Sequence, residues 1–124
     1  MASVLMINLP PEKQDLLRIL SFRLNFACRD ILPREQFCRI CDLLKGTAPS
    51  QPSGKPFLDE MLVMDGFSNQ DLNFLLNEMI RTEKTIPLKA VTTPTNLLWT
   101  VSMLHTQLVA ENRELSRRSR EASK

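Results

Sequence analysis

The sequence predicts an all-α protein, a compact bundle of five to six helices that ends in a long C-terminal helix. Apolar side chains recur at helical spacing between prolines and glycines that begin and end the helices. With 3 Gly, 8 Pro and no Tyr in 124 residues, the chain lacks the aromatic strands and glycine-rich turns usual in all-β proteins. Its 43% hydrophobic and 24% charged residues are typical of a folded globular domain.

The first two predicted helices both begin at prolines. Pro11 opens a helix that runs to about Asp30, since proline is favourable at the first helical position. Pro33 opens a second helix, which Gly46 ends. The residues before Pro10 add at most a turn at Ala2–Ile7.

The segment from Gly46 to Pro56 is rich in glycine, proline and serine, which predicts an exposed loop. Pro56 then opens a short helix that Asp65 and Gly66 end.

The clearest amphipathic helix follows Ser68. The Ser68 side chain is expected to cap it by accepting a hydrogen bond from the backbone of Asp71. Residues 82–94 predict a loop or short extended segment, and Thr95 caps a final helix that runs to about Ser119. No internal repeat is apparent in the sequence.

These elements predict two parts, a helical bundle over residues 1–92 and a C-terminal helix over residues 93–124. Apolar residues seven apart in the final helix, with Asn at an intervening position, are typical of a short parallel coiled-coil dimer. The alternative is that the first half of this helix packs on the core while its end is solvated. The predicted oligomer seam consists of Val101, Leu104, Leu108, Asn112 and Leu115.

The formal net charge is +2, from 16 basic and 14 acidic residues. The surplus lies in the last twenty residues, so a nucleic-acid-binding helical dimer, such as a small viral or regulatory factor, is the alternative function. Its phosphate contacts would come from Arg113, Arg117, Arg118 and Arg120.

No catalytic or cofactor motif is apparent, so we expect no enzyme, no cofactor, no small-molecule substrate and no membrane span. Cys38 and Cys41 form a C-x-x-C pair, but a zinc site usually needs four ligands. We therefore expect buried thiols rather than a metal site. Three cysteines without a signal peptide predict a cytoplasmic protein, or a nuclear one, that is not secreted.

Two stretches resemble death effector domains, a family of the death-fold superfamily. They are FACRDILPREQ (Phe26–Gln36) and FLDEMLVMDGFSNQDLNFLLNEMIRTEK (Phe57–Lys84), within a likeness over about residues 16–84. The resemblance implies a bundle of six antiparallel helices that works by like-to-like association in cytoplasmic signalling. Its charged signature maps to Arg81 and Glu83, which would then bind a partner.

Together these observations predict a non-catalytic adaptor or oligomerisation module. It would assemble through helical surfaces with a protein partner or with itself, as a homodimer.

Overall fold

A computed structural model describes residues 2–46 and 54–122 of the chain, with side chains as far as Leu115. A four-stranded mixed sheet lies at its centre, in the order β2-β1-β3-β4. The outer pairs β1–β2 and β3–β4 are parallel, and the central pair β1–β3 is antiparallel. The strands are β1 (Ala2–Ile7), β2 (Phe26–Ile31), β3 (Met61–Asp65) and β4 (Leu88–Val91).

Helices and two 3-10 turns connect and cover the strands. The helices are α1 (Pro11–Leu24), α2 (Ile40–Lys45), α3 (Asn69–Arg81) and α4 (Val101–Ala122), and the 3-10 turns span Pro33–Phe37 and Asn96–Leu98.

The predicted all-α helical bundle is therefore wrong, and the six-helix bundle that the death-fold resemblance implied is not the fold of the described residues. The error arose at β1 and β3, where Val4–Ile7 and Met61–Met64 are buried on both faces of the sheet. Such strands are continuous apolar runs without alternation, and periodicity alone does not separate them from buried helix.

Several predicted boundaries also change. The first helix ends at Leu24 rather than Asp30, because Asn25 takes a left-handed conformation and β2 follows at once. The final helix begins at Val101, after the second 3-10 turn, rather than at Thr95.

Other predictions are confirmed. α1 starts at Pro11, Gly46 ends α2 with φ 73°, and the Ser68 hydroxyl accepts a hydrogen bond from the Asp71 amide at 3.1 Å. The loop predicted from Gly46 to Pro56 falls largely on residues 47–53, which lie outside the described residues.

Alternate side chains of each central strand enter different cores, which gives three layers. Val4 and Met6 of β1 face α1 and α3, whereas Leu5 and Ile7 face the layer formed by α2, the 3-10 turns and α4. Val101, at the start of α4, belongs to this second core.

The chain folds as two halves that repeat one arrangement. Each half runs strand, helix, parallel strand, 3-10 turn and helix, from β1 to α2 and from β3 to α4. The halves meet where β1 and β3 pair antiparallel. Two equivalent strands paired in this way define an approximate two-fold axis between them.

Backbone angles support this repeat. Asn8 (φ 58°) and Gly66 (φ 77°) each follow the first strand of their half. Asn25 (φ 58°) and Glu83 (φ 57°) each follow its first long helix. Left-handed angles are uncommon outside glycine, so their occurrence at equivalent positions indicates one repeated backbone path.

Hydrogen bonds across the axis are reciprocal as well. The Ile40 amide donates to the Trp99 carbonyl at 2.9 Å, and the Val101 amide donates to the Cys38 carbonyl at 3.2 Å. The two 3-10 turns are also capped in the same way. The Glu35 side chain accepts a hydrogen bond from the Leu32 amide, and the Asn96 side chain accepts one from the Thr93 amide. The halves share backbone conformation and apolar positions rather than an obvious common sequence.

Candidate functional site

The last helix differs most between the two halves. α2 has 6 residues and ends at Gly46, whereas its counterpart α4 has 22. The part of α4 equivalent to α2 ends at about Thr106. We refer to the remainder, residues 107–122, as the arm.

The predicted oligomer seam divides between the core and the arm. Val101 and Leu104 are 0% and 3% exposed and belong to the protomer's own core. Leu108 is half-buried and packs against that core. Asn112 and Leu115 are exposed, Leu115 to 61%. The structure therefore leaves the distal end of the seam open to solvent.

The arm passes the free edge of the sheet at β4. The Thr92 amide donates to the Met64 carbonyl at 3.0 Å, so the backbone amides and carbonyls of Thr92 and Ala90 point towards β3. Because successive residues of a strand point their backbone groups to opposite sides, Lys89 and Val91 direct theirs to the open side. The Val91 carbonyl there accepts a hydrogen bond from the Asn96 side chain at 3.1 Å.

A cleft of about 320 Å³ lies between α4 and this edge, lined by Ala90, Trp99, Leu108 and Glu111. The corresponding cleft of the first half is about 220 Å³ and is lined in part by Arg29. Arg29 donates to the Leu43 carbonyl at 2.6 Å and to Glu35 at 2.9 Å. Its counterpart on β4 is Ala90, whose small side chain leaves the second cleft more open.

A cluster of polar side chains holds Gly54–Glu60, the linker between the two halves. Gln36 is fully buried and binds both backbone groups of Phe57, accepting from its amide at 2.9 Å and donating to its carbonyl at 3.2 Å. The Asn8 side chain donates to the same carbonyl at 2.9 Å. We call this group of residues, with His105 and Asp59, the clasp.

The imidazole of His105 completes the clasp from α4. It stacks on the Phe57 ring at 3.8 Å, and its Nε2 lies 2.9 Å from a carboxylate oxygen of Asp59. These contacts fix the linker against α4 and the first 3-10 turn. Sequence reasoning missed the clasp, because its members are separated along the chain and only the fold brings them together.

Arg81 and Glu83, the partner-binding residues implied by the resemblance, lie at the end of α3. The Arg81 guanidinium is exposed and binds Glu78 of the same helix at 2.6 and 3.1 Å. This hydrogen bond lowers the pKa of the Glu78 carboxyl below its ordinary value. Glu83 is exposed in the left-handed turn that follows. The structure therefore pairs Arg81 with Glu78 of its own helix.

The four arginines of the nucleic-acid alternative all lie in the arm. Arg113 is exposed. The backbones of Arg117, Arg118 and Arg120 are helical, and their side chains lie outside the described part of the chain.

The cysteines are placed on three elements, and the structure joins no two of Cys28, Cys38 and Cys41 in a disulfide. Burial raises the pKa of the Cys38 thiol, with Glu35 and Asp42 acting in the same direction. Within residues 2–46 and 54–115, no three His, Cys, Asp or Glu side chains are grouped so that they could hold a metal ion.

One comparison with known proteins gives a match. A family model described as a domain of unknown function, DUF3783, matches residues 60–115. This range begins just before β3 and ends in the arm, so it corresponds to the second half of the fold. No curated protein and no solved structure matches the chain. None of the helices described here has the length and apolar character needed to cross a membrane.

Proposed function

We propose that the chain is a non-catalytic interaction module that associates with a second copy of itself through the arm. The observation that carries this proposal is the exposed Leu115, 61% accessible, on a helix of 22 residues whose counterpart has 6. The fold repeat is complete at the end of α2 in the first half. The arm is therefore an addition that the fold itself does not need.

The position of Leu115 favours a packed partner over a solvated end. At 100° per residue, Leu115 lies within about 20° of Leu108 and about 40° of Val101 around α4, on the side that packs on the sheet. Burying a leucine stabilises an assembly by about 1.5–3 kcal/mol, and a two-fold dimer buries two. An unsupported helical end is only marginally stable in water, so a partner also explains its regular helix.

The proposed seam is therefore narrower than the one predicted from sequence. Leu108, Asn112 and Leu115 form it, whereas Val101 and Leu104 serve the protomer's own core.

The substitution Leu115→Asp tests the proposal. It places a charge within the apolar line, so the dimer is expected to dissociate at concentrations where the wild type is dimeric. Sedimentation velocity measures the mass in solution. Ala110→Asp is the matched control, because Ala110 is exposed on the opposite side of α4, and it should leave the mass unchanged. A Leu115→Asp protein with wild-type mass would contradict the proposal.

Nucleic-acid binding is supported by the surplus of basic residues in the last twenty positions. The same samples, mixed with duplex DNA or RNA at two salt concentrations, separate it from self-association. Phosphate contacts lose affinity steeply as salt rises, while an apolar seam responds little.

The proposal also places the protein in the cytoplasm or nucleus, supported by three cysteines that no disulfide joins.

A further inference from the structure

We propose that the edge of β4 and the arm form one self-complementary surface, on which β4 of a second copy adds antiparallel and continues the sheet. This inference rests on the proposed function and deepens it, because it assigns the geometry of the dimer. The partner is a second copy of this chain.

The first step is the backbone of β4 on its open side. Lys89 and Val91 direct their amides and carbonyls to the open side, as described above. The Val91 carbonyl already accepts one hydrogen bond there from the Asn96 side chain, and a carbonyl oxygen can accept a second from a partner. Pro87 has no amide hydrogen, so the strand offers donors only over residues 89–91.

The second step is the register that these groups select. In an antiparallel ladder, two residues that both face the partner exchange two hydrogen bonds. Pairing Lys89 with Val91 of the second copy satisfies this rule twice and avoids placing two lysines opposite each other. Ala90 then lies opposite Ala90 on the two-fold axis. Its small side chain permits the close approach of a non-hydrogen-bonded pair.

The third step is the reach of the arm. Leu108 lies at the cleft beside β4, and Leu115 follows on the same line of the helix. Seven residues of helix span about 10 Å, so Leu115 lies that much further along α4 than Leu108. Leu115 is 61% exposed there, so the protomer's own sheet does not cover it. Strand addition gives this exposed side chain a surface to cover.

The fourth step is the precedent within the chain. The two halves already join by antiparallel pairing of β1 and β3 about an approximate two-fold axis. A second axis of the same kind at β4 places the two arms on the same face of the sheet, running antiparallel. This differs from the parallel coiled coil that the heptad spacing predicts.

The substitution Lys89→Pro tests the strand pairing in the full-length protein. The Lys89 amide is not used by β3, so proline removes the backbone donor on the open side without breaking a bond between β3 and β4. Proline also removes the hydrogen bond from the Lys89 ammonium to the Ile86 carbonyl, which Lys89→Ala removes equally. We expect the dissociation constant of the dimer to rise at least about tenfold, because both copies lose a hydrogen bond and meet the ring. Lys89→Ala keeps the amide and should self-associate like the wild type. Circular dichroism establishes that both variants are folded.

A cross-link supplies a second measurement that does not depend on proline. Ala90→Cys places two thiols at the distance of a non-hydrogen-bonded pair, which is within the range of a disulfide. Mild oxidation should join the copies through residue 90, as identified by mass spectrometry of the linked peptide. Thr106→Cys, exposed on the far side of α4, should not cross-link.

The outcomes separate the two proposals. If the wild type is dimeric, Leu115→Asp is monomeric and Lys89→Pro binds like Lys89→Ala without a link at residue 90, the strand pairing is overturned and the arm seam stands. If the wild type is monomeric at high concentration, both proposals are overturned.

Discussion

At the scale of single residues, Gln36 connects the linker to the core. Its side chain is fully buried and satisfies both backbone groups of Phe57. A buried polar group is stable only when its hydrogen bonds are made, and this pair of bonds meets that requirement on both sides. The linker therefore enters β3 along a path fixed by one side chain.

Replacing Gln36 by methionine keeps the approximate shape and removes both hydrogen bonds. The Phe57 amide then loses its partner, and its carbonyl keeps only Asn8. Leaving such groups unsatisfied costs about 1–3 kcal/mol each, so we expect the free energy of unfolding to fall by about 2–3 kcal/mol in urea titrations. Gln14→Met removes one hydrogen bond, to the Leu9 carbonyl, and should cost about 1 kcal/mol. Equal losses in the two variants would contradict this role of Gln36.

At the scale of elements, local backbone signals predicted the helix ends, whereas the strands could not be predicted from runs of apolar residues. Pro11, Ser68 and Gly46 act through backbone chemistry within a few residues, and the structure confirms the helix ends that they predict. The strands depend instead on neighbours distant in sequence, and β1 and β3 are apolar because helices cover both faces. A single apolar run does not contain that information, so the sheet was missed.

The clasp and the free edge of β4 were missed for the same reason. Gln36 and Phe57 carry no motif, and the edge exists only once the strand order is known. The C-terminal helix was predicted by its periodicity, but its division into core and arm depends on where the sheet ends.

The cap of α3 gives a prediction at this scale. Ser68→Ala removes the acceptor for the Asp71 amide, and loss of an N-cap costs about 1 kcal/mol. We expect the urea midpoint to fall accordingly. Ser21→Ala, within α1, removes a bond to a helix carbonyl and a side-chain hydrogen bond with Cys28, neither of which caps a helix, and should cost less, since alanine favours helix. A Ser68→Ala protein as stable as Ser21→Ala would show that the cap contributes nothing.

At the scale of the whole molecule, the approximate two-fold axis organises both the fold and the proposed dimer. The halves share the central strand pair, and α4 packs against the first 3-10 turn as α2 packs against the second. Each half therefore completes the core of the other. The family model covers only the second half, which supports treating that half as a unit of its own.

This exchange of contacts predicts that the halves stay together after the chain is cut between them. A protease site inserted between Ser50 and Gln51, in a Leu115→Asp background that prevents dimerisation, allows the cut to be made in the folded protein. Leu5 and Val63 are buried across the junction at 1% exposure each, so the fragments should elute as one species with an unchanged circular dichroism spectrum. Cutting makes refolding bimolecular, so the melting temperature should rise with protein concentration, whereas that of the uncut protein with the same insertion should not. Fragments that separate at micromolar concentration in native buffer would show that the covalent link, rather than the shared core, holds the halves together.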